Sequence, residues 1–229
     1  MPALPLTVHA EQTESTDPHF IKLEDAQRLS DIGEQLAQKR VVYVGETHSA
    51  YRDHLVQLEL LRQLYNANPE MAIGVEWFHA RFQNHLDDYI QERISEKELL
   101  SRTEYYTRWR FDYRLYRPIM QFAREHGIPV IALNASKELI RAISSGGIDN
   151  LSDEMKKQLP SSYDFTNAAY EQKLKVVYDM HSERSSEFRW FHEAQLTWDE
   201  TMADNVAKYL DANPAHRMIV FAGSGHVTH

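Results

Sequence analysis

Four short runs rich in Val, Ile and Ala constrain this chain more than any other feature: Val41–Val44 (VVYV), Met71–Val75 (MAIGV), Pro129–Leu133 (PVIAL) and Met218–Ala222 (MIVFA). None alternates apolar with polar residues, and each is closed by a turn signal, the pattern of strands covered on both faces. Helical stretches separate them. Leu55, Leu58, Leu61 and Leu64 line one helix face after the first run. Tyr116, Ile119, Met120 and Ala123 lead into His126-Gly127, a helix C-cap ahead of the third. Ala203, Val206, Ala207 and Leu210 precede the fourth and stop at Asn213-Pro214. Strand–helix–strand order calls for parallel neighbours joined by right-handed crossovers. The fold class is therefore read as α/β: a mainly parallel central sheet flanked by helices, with a helical cap or insertion. Segments 77–127 and 135–216 are too long for single crossovers and are expected to hold the helical insertions. Within the second, Lys173 to Phe191 reads as one long helix. Residues 19–229 read as a single α/β domain. Residues 1–18 are polar, carry little to bury and are expected to be poorly ordered.

Charge and residue usage narrow the partners. The formal net charge of -9 removes long-range attraction to nucleic acid or an anionic bilayer, so any basic site must be local. No apolar run approaches the roughly 18 residues needed to span a membrane. With no cysteine, the chain has no disulfide, thiolate metal ligand, cysteine nucleophile or covalent c-type haem attachment. The opening MPALPLTVHAEQTESTDPHF lacks the basic and continuous apolar regions of a secretory signal. The sequence stops soon after the glycine-rich turn of the fourth run, and the native chain is expected to continue.

The chemistry gathers where the strands end. In parallel α/β sheets ligands sit beyond the carboxyl ends of the strands. There this sequence places Glu46 and His48, then Glu76, then Asn134, then Gly223-Ser224-Gly225-His226. Singly, each has an ordinary reading: a turn hydrogen bond, a helix N-cap for Asn134, a tight turn at the glycines. Together they point to one shared site. Glu46, His48, Glu76 and His226 are the candidate catalytic groups, with a Glu as general base. His48, His54 and Glu76 are the candidate ligands of a divalent metal. No Gly-x-Ser-x-Gly elbow is present, and His48 and His54, six residues apart, share a helix face only if His48 lies in the turn.

A second cluster, YYTRWRFDYRLYR at residues 105–117, interleaves aromatic rings with Arg108, Arg110, Arg114 and Arg117. It reads either as a cap helix with inward rings and outward arginines, or as a wall for a flat aromatic ligand whose acids the arginines pair. On the expected long helix, Tyr178 and His181 share a face, and His192, eleven residues on, returns to it. Such a stripe suits a non-covalent haem pocket as well as a solvated surface.

Several motifs carry a family likeness: VGETHSAYRDHLVQLELL, GVEWF, YRPIMQFAREHGIPVIALNA, FHEAQLTWDETMADNVAKYL and VFAGSGHV. In this order, over residues 40–228, the chain resembles the ChaN-like haem-binding proteins, a bacterial group often encoded as lipoproteins associated with iron uptake. The resemblance implies an α/β core with non-covalent haem and a homodimer in which haems lie between subunits near Tyr and His. Tyr178, His181, Tyr170 and His192 are the iron-ligand candidates, and Arg117 the propionate partner. It implies a periplasmic or outer-membrane location, with membrane contact only through an N-terminal lipid anchor that this sequence does not contain. Wider relatives, erythromycin-esterase-like and Tiki/TraB-like proteins, carry Glu and His at strand ends linked to hydrolysis, a pattern that Glu46, His48, Glu76 and His226 match.

Overall fold

A computed structural model describes residues 28–180 and 187–227. The four apolar runs form the strands of one all-parallel sheet: β1 (Val41–Glu46), β2 (Met71–His79), β3 (Val130–Asn134) and β4 (Arg217–Gly223), in the order β1-β4-β2-β3. Central position decides how completely each is covered. β2 is buried along its whole length and β4 nearly so, whereas edge strand β1 leaves Tyr43 exposed.

Helices cover both faces. After β1 comes α2 (Tyr51–Ala67), preceded in the chain by α1 (Leu29–Leu36). Between β2 and β3 lie α3 (Gln83–Ile90), α4 (Glu96–Arg102), α5 (Tyr105–Arg108) and α6 (Arg117–Glu125). Between β3 and β4 lie α7 (Lys137–Gly146), α8 (Asp153–Lys156), α9 (Ala168–Asp179) and α10 (Phe188–Ala212), and α11 (Ser224–Val227) follows β4. One core cluster joins Leu58, Leu61 and Leu64 of α2 to Ile119, Met120 and Ala123 of α6, Tyr113, Tyr116 and the β2 face bearing Ile73, Val75 and Trp77. A second packs Met202, Val206 and Leu210 of α10 on Ala72, Met218 and Val220. Gly127, at φ +63° just past α6, closes that helix in the left-handed conformation a glycine adopts freely.

Two helical expectations need correction. The inward face of α2 is not the full leucine stripe. Leu55 is 46% exposed, and the buried positions are His54, Gln57, Leu58, Leu60, Leu61 and Leu64. The helix is rotated so that two polar residues enter the core, because a buried carboxylate waits for them there. Nor do Lys173 to Phe191 form one helix. In a continuous helix Tyr178 and Phe188 would stand about 15 Å apart; their ring centroids are 5.4 Å apart. The backbone is extended at Glu187, and α9 packs antiparallel on α10, with Tyr178 against Phe188 and Phe191 and Tyr170 reaching Asp199. Each helix thus covers the other's apolar face. His181 lies outside the described residues, as do residues 1–27.

The rotated α2 face is open to test by denaturant unfolding. Leu61→Ala, at a fully buried site, should destabilise by about 2–5 kcal/mol, and Leu55→Ala by less than about 0.5 kcal/mol. Equal losses at both positions would contradict the packing described.

Candidate functional site at the carboxyl edge of the sheet

The parallel register delivers the site. Glu46, the last residue of β1, pairs with Gly223, the last of β4, and His79 pairs with Asn134 at the end of β3. Glu76 lies inside β2, not after it, at a register irregularity between Val75 and His79 that frees it from regular pairing with β3. The edge thus brings Glu46, Glu76, Asn134 and Gly223 together, and the turns beyond it add His48 and His226.

Glu46 is buried, and a buried carboxylate needs donors. It has three. Gln57 donates from Nε2 to Oε2 at 2.8 Å, Tyr116 donates its hydroxyl to Oε1 at 3.0 Å, and His48 Nδ1 lies 2.8 Å from Oε1. Burial, then the Glu46 charge, hold the Tyr116 hydroxyl well above the usual phenol range, so it keeps its proton and donates. Since Glu46 accepts, His48 carries its proton on Nδ1 and presents the Nε2 lone pair outward. The imidazole is wedged between Trp109 and Phe111, with ring centroids 4.7 Å and 4.8 Å away.

His54 serves this arrangement from behind. Its Nε2 lies 3.1 Å from the His48 carbonyl oxygen and its Nδ1 3.2 Å from Gln57 Oε1, in a site only 3% exposed. With both ring nitrogens so engaged, His54 braces the turn that carries His48 and is not placed as a metal ligand with His48 and Glu76. Among the described residues no three His, Cys, Asp or Glu side chains are arranged to hold a metal ion. Asp53 is likewise structural, accepting the Thr47 N–H at 2.7 Å.

Across the edge, Glu76 Oε2 accepts the Gly223 N–H at 2.7 Å, so that glycine's amide is spent on Glu76 and not on an external anion. His226 Nε2 lies 3.5 Å from Glu76 Oε1, while its Nδ1 makes a short contact with Asp199 of α10. Asp199 also accepts the Tyr170 hydroxyl at 2.7 Å. A chain Tyr170–Asp199–His226–Glu76 therefore runs from α9 to the sheet edge. Burial raises Tyr170 above the usual phenol range, and the Asp199 charge adds to it, so the hydroxyl keeps its proton and donates to Asp199. Asn134 is not the N-cap of α7; that role falls to Ser136, and Asn134 donates instead to the Glu76 carbonyl oxygen at 2.8 Å.

Gly223 sets the spacing. A β-carbon there would lie 2.9 Å from His48 Cε1, 3.0 Å from His48 Nε2 and 3.6 Å from Glu76 Oε2, so the base nitrogen and the second carboxyl border one small space above a bare backbone. That space opens into a cavity of about 510 Å³ whose lining includes His48, Glu76, His226, Trp109, Phe111 and Trp198. A second cavity of about 280 Å³ on the α9–α10 side shares His226 and exposes Tyr170 and Asp199.

Of the cofactor candidates, Tyr170 reaches this edge through Asp199, and Tyr178, His192 and Arg117 lie apart from it. Tyr178 and His192 belong to the α9–α10 pair, where His192 stacks on Phe188 and meets Phe165 and Tyr170 with ring centroids about 6 Å apart. Arg117 is committed to Glu96 at 2.7 Å, lies over the Tyr113 ring and lines neither cavity. Asp199, Gln57 and Tyr116 were missed as site residues. The motif around Trp198-Asp199 was visible, but nothing in it tells that a carboxylate 27 residues upstream of His226 meets its ring.

Protonation of the Glu76–His226 pair links to stability. Burial pulls His226 down, yet its hydrogen bond to Asp199 and the charges of Glu76 and Asp199 outweigh that and hold it above its ordinary 6.5. Burial holds Glu76 above its ordinary 4.5, against the pull of His226 and the Gly223 N–H. Both groups bind a proton more tightly folded than unfolded. The stability His226 contributes is full below pH 6.5 and is lost as pH rises through its folded pKa, and Glu76 acts in the same direction from 4.5 upward. Denaturation followed from about pH 6 to about pH 9 should show falling stability, with a shallower fall in Asp199→Asn. The same slope in both proteins would remove Asp199 from this account.

Comparison with known proteins places this geometry. The chain is 26% identical over 133 residues to the chloroplastic protein RETICULATA-RELATED 5 of Arabidopsis thaliana, a match covering 55% of this chain and 18% of that protein. The chain therefore spans less than a fifth of that relative's length. Among solved structures it is similar to ChaN of Campylobacter jejuni, described with cofacial haem binding, at 19% identity and a TM-score of 0.59, covering 89% of this chain and 75% of that one. That likeness establishes the shared fold. An erythromycin esterase, the EreC H289N mutant in its open conformation, matches at 14% identity and a TM-score of 0.47, over 84% of this chain and 63% of that one. The family model described as haem-binding uptake, Tiki superfamily, ChaN matches residues 32–229, nearly the whole sequence, and the chain belongs to that family.

Proposed function

We propose that this chain binds haem non-covalently and acts in bacterial haem or iron uptake or storage. Family membership supports a haem-binding role, and one surface suits the ligand: the face where α9 meets α10. There the half-buried His192 sits among Phe165, Phe188 and Tyr170, Tyr178 packs beside them, and Val176, Val177 and Met180 of α9 stand exposed. Apolar side chains would cover the porphyrin, and His192 or Tyr178 would hold iron, the chemistry haem brings to the pair. A second copy closing over the same face makes the assembly a homodimer. The role fits a periplasmic or outer-membrane protein, attached to the membrane by an N-terminal lipid anchor outside residues 1–229.

Hemin titration tests this reading. A saturable Soret shift is expected, with dimer formation on sedimentation. His192→Ala should weaken binding at least about tenfold, or about 1.4 kcal/mol, and Tyr178→Phe should alter the spectrum if the phenol meets iron. Hemin uptake no tighter than on an unrelated protein, unchanged by either substitution, would reject it.

One observation favours a second activity at the sheet edge: the His48 Nε2 lone pair and the Glu76 carboxyl border the same space above Gly223. As a general base, His48 would take a proton from water as its oxygen attacks an ester carbonyl. The ester C–O bond then breaks, and the leaving alkoxide takes a proton from the Glu76–His226 pair, so ester and water give acid and alcohol. Steady-state turnover of aryl esters should fall by about 10²-fold or more in His48→Asn. Gly223→Ala, which drives a methyl into the imidazole, should lose as much while folding normally. Turnover in the wild type that survives both substitutions would remove the sheet edge from hydrolysis.

A further inference from the structure

We propose that the sheet-edge cavity binds a small aromatic or acyl carboxylate, its anionic end held by Arg110, Lys137 and Arg141 and its body against Trp109, Phe111 and Trp198. The proposal names the class of acid that the hydrolytic reading would release as product, and rests on that reading only for this role; it is tested by binding alone, so the two can fail separately.

The cations are the first observation. In a chain of net charge -9, four line this one cavity: Arg108, Arg110, Lys137 and Arg141. Arg108 is already neutralised between Glu104 at 2.7 Å and Glu138 at 2.9 Å. Among the described residues the other three have no carboxylate within ion-pairing distance. Their placement is unfavourable without an anion. Lys137 opens α7, where the helix dipole disfavours a cation, and Arg141 is its i+4 neighbour of like charge. Arg110 holds φ +74°, the left-handed region that a long side chain rarely occupies. The same Arg108, Lys137 and Arg141 also line an adjoining cavity of about 390 Å³, so the positive wall stands between two open spaces.

The second observation is a buried polar group left unpaired. His79 lines the cavity, is only 7% exposed, and among the described residues its Nδ1 has no hydrogen-bond partner; the indole N–H of Trp198, another lining residue, has none there either. Groups of this kind are normally satisfied in folded proteins, and a ligand with hydrogen-bonding atoms would satisfy them. His79 also registers the local field. Burial first, then Arg108, Arg81 and Lys137, push it down to about 4, so it is a neutral imidazole in a positive surrounding. Glu76, the acidic group of the cavity, is raised by burial and repels an incoming anion less than a free carboxylate would. A cavity of about 510 Å³ with aromatic walls and a few polar groups has the size of an ordinary small-molecule site.

Isothermal titration calorimetry of the full chain with 2-naphthoate, and with 2-naphthamide as its uncharged counterpart, tests the proposal. The wild type should bind naphthoate at least tenfold more tightly than naphthamide. Lys137→Ala/Arg141→Ala should reduce that ratio to near one, and Lys137→Arg/Arg141→Lys should retain most of it. Saturating hemin should leave naphthoate affinity unchanged. Equal affinity for acid and amide in the wild type, or no binding of naphthoate, overturns the proposal whether or not esters are turned over. Loss of naphthoate binding on adding hemin also overturns it, because the cavity would then be the haem's own place.

Discussion

Two carboxylates buried side by side at the end of a parallel sheet govern the rest of this molecule. Glu46 and Glu76 belong to strands that both flank β4, and register brings Gly223 of β4 between them. Removing such groups from water is costly unless each finds donors, so the surroundings are shaped to supply them. Gln57 and His54 turn inward on α2, Leu55 turns out, and Tyr116 contributes its hydroxyl from the far side of the core. On the other side the Gly223 amide and His226 meet Glu76. The same donors that relieve burial also orient His48 with its lone pair outward. Structural necessity and chemical capability coincide in one set of hydrogen bonds.

The two halves of the edge are built unequally. Glu46 is enclosed by the Gln57 and Tyr116 donors and the His48 imidazole. Glu76 instead belongs to a run of polar contacts, through His226 and Asp199 to Tyr170 on α9. That run crosses from the sheet edge to the helix pair that bears Tyr178 and His192. The α9–α10 pair and the sheet edge are therefore linked by contacts that meet at Asp199. Arg110, Lys137 and Arg141 line the larger cavity with Glu76 and His226, and do not line the smaller one beside Tyr170.

The motif of alternating arginines and aromatic residues shows why local sequence divides unevenly into function and packing. Tyr105, Tyr113 and Tyr116 are fully buried, and Arg114 and Arg117 pair with Asp112 and Glu96 at the surface. The middle of the segment faces open space: Arg108 to Phe111 line the sheet-edge cavity, and Thr107 and Arg108 the adjoining one. The packing reading holds for the buried tyrosines, while other residues of the motif line a cavity, and the side chains alone do not tell which.

Strand positions, parallel topology and the meeting of Glu46, His48, Glu76 and His226 were legible from the sequence, because apolar runs and turn residues act over a few neighbours and parallel strands must end together. The family likeness was legible for the same reason, in short contiguous motifs. Helix rotation, the break before α10, the pairing of Asp199 with His226, the withdrawal of His54 into a bracing role and the lack of a carboxylate partner for Lys137 and Arg141 among the described residues were decided only by the folded structure. Each depends on which partner is close in space, and burial, hydrogen bonding and ion pairing are settled over distances of a few ångströms that sequence separation does not encode.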